Sequence, residues 1–125
     1  MMYESIPMVM TAIFDGRKYE GPYTIDAKDV PPTPGVYLIC TGSSGGEKII
    51  ALYESDDMKT HMSSNPEREE WFRNKDDGNN SYNDDALRTY YLEENSQSIR
   101  QDIILKMVER RPYRIPCYRP PVDDF

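Results

Sequence analysis

The sequence predicts a small α+β fold: a mainly antiparallel sheet flanked by helices. Three observations carry this. Runs rich in β-branched and aromatic residues recur at 36–40, 49–52 and 86–92, each bounded by Gly, Pro, Ser, Asn or Asp, as short strands are. Asp15-Gly16 joins two further β-like stretches, 8–14 and 17–23, and Asp-Gly suits a tight hairpin because both central turn positions need positive φ. Near the C-terminus Ile99, Ile103, Ile104, Met107 and Val108 recur at helical spacing and define a wide apolar face. A chain of 125 residues supports one hydrophobic core and is too short for two, so residues 1–125 read as a single domain.

Taken in order, the first element is the hairpin 8–23, expected to extend or cover the sheet edge next to Tyr37 and so protect unpaired strand groups. Residues 29–34, DVPPTP, hold three prolines and read as a stiff connector, with a Pro-x-x-Pro ligand from Pro31 to Pro34 as the alternative. Residues 1–33 are thus an N-terminal hairpin extension plus connector. The strands at 36–40 and 49–52 pair antiparallel across a Gly/Ser loop at 41–46. Ser55 is the N-cap candidate of the next helix, with Asp56 and Asp57 in its first turn and Met58 and Met62 on one face.

Asn65-Pro66-Glu67 restarts or kinks that helix, with Asn as N-cap and Pro at the first helical position, and Trp71 and Phe72 anchor the second piece to the core. Residues 76–85 read as a solvated loop. Asp76, Asp77, Asp84 and Asp85 could face a cation there, but the glutamate spacing of a calcium loop is missing. The third core strand is 86–92. Ser98 with Gln101 three residues on makes a capping box for the last helix, which runs to about Arg111 before Pro112. Arg110 and Arg111 complement the negative end of its dipole, and the Pro-rich tail can return across the sheet.

Composition narrows the function. Net charge is −7, from 22 acidic and 15 basic side chains, which disfavours general attraction to a polyanion; nucleic acid as a partner would need a local basic patch. The chain has no run of 18 apolar residues and no basic segment ahead of its short N-terminal apolar stretch. Neither a membrane partner nor secretion is indicated, and a cytoplasmic location is expected. Two cysteines, Cys40 and Cys117, could form at most one bridge; they read as reduced thiols, Cys40 within the core.

The stretch 34–61, PGVYLICTGSSGGEKIIALYESDDMKTH, contains Gly35-Val36-Tyr37 on the first core strand, followed by strand, helix, strand and helix. In residues and order it resembles the GIY-YIG nuclease family, over roughly residues 35–118. Aligned without gaps, Ser55, Asp57 and Met58 fit the family pattern after the second strand. The second motif tyrosine falls on Ala51, its glycine on Tyr53, and the motif arginine on His61, the one histidine of the chain. The resemblance implies an α+β nuclease fold with a degenerate active site.

Members of that family cut phosphodiesters with a divalent metal held by a glutamate of the last helix, while tyrosines and an arginine position water and stabilise phosphate charge. Carried over residue by residue, Tyr37 takes the first tyrosine's role, and its bland alternative is a packed strand tyrosine. His61 takes the arginine's place without its permanent charge or two-pronged hydrogen bonding; a surface ion pair with Asp56 or Asp57 explains it equally. Tyr53 could stand in for the displaced tyrosine. The metal ligand's position falls near Ile103, so Asp102 serves only with a shifted helical register. A separate constellation, Arg110, Arg111, Tyr113 and Arg114, with Tyr118 and Arg119 beyond, has the cations and rings of a single-strand nucleic-acid surface.

The expectation is therefore a GIY-YIG-like domain that has lost nuclease catalysis and acts as a binding or interaction module, with no cofactor. The alternative is a divergent endonuclease using Tyr37 and His61, in which case Mg²⁺ or Mn²⁺ is required.

Overall fold

The computed structural model describes residues 11–42, 48–74, 87–111 and 115–118. The described residues form strands β1 (Thr11–Phe14), β2 (Arg17–Tyr23), β3 (Gly35–Thr41) and β4 (Lys48–Ser55), helices α1 (Met58–Ser63) and α2 (Arg68–Arg73), strand β5 (Leu87–Glu93) and helix α3 (Gln97–Glu109). The strands make one antiparallel sheet in the order β1-β2-β5-β3-β4, so the fold is α+β.

β3 lies at the centre of the three core strands and is buried along its whole length, as its run of apolar residues requires. Tyr37 stands opposite Tyr53 on β4 and Tyr91 on β5. Alternation along the strand sends Tyr37 and Ile39 to one face, with Met58, Met62 and Trp71 of α1 and α2, and Val36, Leu38 and Cys40 to the other, with Ile103 and Met107 of α3. The sheet is thus sandwiched between a broken helix and a continuous one. The loop before β3 contributes Ile25, Ala27 and Val30 to the first of these layers.

The N-terminal hairpin turns at Asp15 (φ 54°) and Gly16 (φ 81°), the positive-φ pair that Asp-Gly favours. Its place differs from expectation. β2 pairs with β5, not with the strand of Tyr37, because β3 already has a partner on each side and the open edge is that of β5. A register irregularity between Glu20 and Tyr23 marks a bulge at Gly21 (φ 135°), where a Cβ would lie 2.6 Å from the Thr89 carbonyl oxygen.

Three helix caps also differ. Asp57, not Ser55, caps α1 by accepting from Thr60 N–H at 3.1 Å, while Ser55 Oγ accepts from the Asp57 N–H. Helix α2 starts at Arg68, two residues later than the Asn-Pro pair suggests, although Asn65 Oδ1 does accept from the Glu67 N–H. Ser96, not Ser98, caps α3, accepting from Ile99 N–H at 3.3 Å. The buried face also differs from the expected one: Ile99 is 41% exposed, and the buried positions are Arg100, Ile103 and Met107.

Both cysteines are buried and not joined in a disulfide, Cys40 in the α3 layer and Cys117 in the other. Residues 115–118 do return to the sheet, Cys117 N–H donating to the Ile50 carbonyl at 2.9 Å. No described helix is long and apolar enough to cross a membrane. The aspartates of 76–85 lie outside the described residues.

Candidate functional site

The site forms where β4, the edge strand, meets helices from both layers. Tyr37, Tyr53 and His61 converge there. Tyr37 and Tyr53, opposite one another on β3 and β4, have ring centroids 5.1 Å apart, and the His61 ring sits 5.7 Å and 5.6 Å from them. The turn Ser55–Asp57 starts α1 directly after β4, which carries His61 back over the tyrosines. Tyr37 Oη and His61 Nδ1 are 2.7 Å apart. The surface ion pair considered for His61 is not made, since Asp57 is engaged in capping and Asp56 binds Arg100.

Two residues that sequence reasoning did not assign to the site complete it. Asn65 Oδ1 accepts from the Glu67 N–H, so its amide must turn Nδ2 toward Tyr37 Oη, 2.9 Å away. Tyr37 Oη thus accepts from Asn65 and shares a second hydrogen bond with His61 Nδ1, whose donor is set by the imidazole tautomer. Glu67 Oε1 accepts from the Tyr53 hydroxyl at 2.6 Å, and Trp71 Nε1–H donates to the same hydroxyl at 2.8 Å. The Tyr53 hydroxyl is thus both donor and acceptor, and among the described residues no buried side-chain polar atom lacks a partner.

These surroundings set the protonation states. Burial, the dominant cause, raises the Tyr37 hydroxyl well above 10, against a smaller lowering by Asn65. Burial followed by the bond to Glu67 does the same to Tyr53. His61 falls below its usual 6.5 because desolvation outweighs the attraction of Glu54 and Glu67. All three groups are neutral at physiological pH.

Over this cluster opens a cavity of about 700 Å³. Leu52, Tyr53 and Glu54 of β4 form its floor, His61 and Glu67 one wall, and Gln101, Ile104 and Leu105 of α3 the other. Its charged lining groups among the described residues are the carboxylates of Glu54 and Glu67. Glu54 Oε2 accepts from Arg100 Nε at 2.8 Å, and Arg100, its side chain 1% exposed, also donates to Asp56 at 2.7 Å and to the carbonyls of Glu94 and Asn95. The guanidinium is therefore consumed by the protein's own acceptors.

Asp102 is not brought to this cluster. It sits on the exposed side of α3, 3.0 Å from Lys106 Nζ, while the neighbouring Gln101 faces the cavity with an amide. The shifted register needed for a metal ligand is not adopted, and among the described residues no three metal-ligating side chains gather. A divalent metal of the kind the resemblance implies does not fit these donors.

The basic constellation is also divided. Arg111 spans α3 and the hairpin turn, its Nη1 donating to Asp15 at 2.9 Å and to the Met107 carbonyl. Arg110 caps the same helix. Tyr113 and Arg114 lie outside the described residues.

No protein-family model matches this chain, and neither a curated protein nor a solved structure matches it.

Proposed function

We propose that the chain is a GIY-YIG-like domain that does not cleave phosphodiesters and instead binds a partner in the cavity over β4. The observation that carries this reading is the charge of that cavity. Cleavage of a phosphodiester needs positive charge where the phosphate accumulates negative charge, and here carboxylates occupy the lining while Arg100 is bonded to Glu54 and Asp56. The strand order β4-β3-β5, followed by α3, supports the family comparison. A mostly apolar cavity of about 700 Å³ with a few placed polar groups has the dimensions of a small-ligand or side-chain site.

A second reading, divergent phosphodiester hydrolysis, draws on the 2.7 Å contact between Tyr37 and His61. The deciding experiment incubates the purified chain with labelled single-stranded, duplex and branched DNA in Mg²⁺ or Mn²⁺, beside Tyr37→Phe and His61→Ala. The expected result is no cleavage by any of the three. Cleavage by the unaltered chain that both substitutions abolish overturns the proposal.

A further inference from the structure

We infer that the cavity's occupant is an organic cation, an ammonium or guanidinium head on an apolar stem. This rests on the binding-module reading above and names the class of its ligand. Two carboxylates face one cavity, and each has only one oxygen engaged: Glu67 Oε1 by the Tyr53 hydroxyl and Glu54 Oε2 by Arg100. Among the described residues the second oxygen of each accepts no hydrogen bond, so both can take a donor from a ligand without giving up a structural bond. Charge-assisted donors are the strongest partners for such oxygens.

Arg100 does not cancel this charge. Its single positive charge is shared by Glu54 and Asp56, so that group of three carries −1, and Glu67 adds another −1. Beside the carboxylates stand the rings of Tyr53 and His61, 5.6 Å apart, and a tyrosine face attracts a desolvated cation. Leu52, Ile104 and Leu105 add hydrocarbon to the lining beside the Gln101 amide, which suits a stem of several methylenes better than a fully hydrated metal ion. A phosphate or carboxylate ligand meets repulsion from both carboxylates, and a neutral apolar ligand leaves them unused. Charge and lining together select the cation.

The test uses hexylammonium and hexylguanidinium as probes against 1-heptanol and hexanoate, which carry stems of similar length but are neutral and anionic. Titration calorimetry gives affinity, and amide chemical shifts locate the site. Both cations should bind at least about tenfold more tightly than heptanol, with hexanoate weakest, and should shift the amides of Tyr53, His61 and Glu67. Their affinity should fall as salt rises from 0.05 to 0.5 M.

Glu67→Gln keeps an acceptor for the Tyr53 hydroxyl and removes the charge, and should weaken cation binding about tenfold while leaving heptanol binding unchanged. Leu105→Trp, at a side chain 49% exposed, fills the cavity without entering the core and should weaken every probe that occupies it. Equal binding of heptanol and the cations, or cation binding indifferent to Glu67→Gln in a chain of unchanged melting temperature, overturns the cation inference while the binding-module reading survives. No binding by any probe overturns it as well, whereas DNA cleavage bears on the binding-module reading alone.

Discussion

At the scale of single residues, the hydroxyl of Tyr53 joins two elements through two side-chain bonds. It accepts from Trp71 Nε1 and donates to Glu67, so Tyr53→Phe strands an indole N–H and a carboxylate oxygen together. The expected loss is about 1–3 kcal/mol of unfolding free energy, measured by urea titration, with little change in m-value. His61 gives a pH signature. The fold favours its neutral form, so the unfolded chain, where the ring titrates near 6.5, binds the proton more readily. Its contribution to stability is complete above that value and is lost as pH falls below it. Melting temperature should therefore drop more between pH 7 and pH 5 for the unaltered chain than for His61→Gln. Parallel curves would mean that the fold does not favour the neutral form of half-buried His61.

At the scale of elements, the strands were legible because their signals are local: β-branched runs, a Gly/Ser interruption and an Asp-Gly turn each report on their own backbone. The helix caps were harder to read, because Ser55, Asp57, Ser96 and Ser98 are all competent caps and only the packed helix chooses the phase. On the last helix Arg100 lies inside, held by Glu54, Asp56 and two carbonyls, while Ile99 lies outside, an inversion that hydrophobicity alone cannot foresee. Tyr37 and His61 were found through the motif they resemble. Asn65 and Glu67 were not, since they act only because the break between α1 and α2 lays them across the tyrosines of two strands; the Asn-Pro-Glu signal gave the break but not its destination.

Gly35 shows what this arrangement demands of one strand. A Cβ there would collide with the Leu92 carbonyl oxygen and stand 2.7 Å from Met58 Sδ, so α1 approaches β3 this closely only over a bare backbone. Gly35→Ala should cost about 1–3 kcal/mol and displace α1, seen as lost amide protection from Met58 to His61. Unchanged protection there would mean the helix is positioned by Trp71 and its neighbours instead.

At the scale of the whole molecule, Arg100 fastens the layers together. From α3 it reaches Glu54 at the end of β4, Asp56 in the turn into α1, and the two carbonyls of the β5–α3 connection. One buried side chain thus fixes the position of α3, which forms one cavity wall, against the strand and turn that set the floor and opposite wall. A methionine at this position fills similar volume but leaves Glu54 and both carbonyls without their donor. Breaking a fully buried ion pair costs about 3–5 kcal/mol, and solvent access to Glu54, whose side chain is 20% exposed, lowers this to about 2–4. The loss alone would not distinguish a fastening from any other buried residue. The distinguishing readout is where the chain loosens: Arg100→Met should speed hydrogen exchange in α1 and at the start of α3 together, although the two helices lie on opposite faces of the sheet. If only α3 loosens, the bond to Asp56 is incidental and the layers are held by their apolar faces.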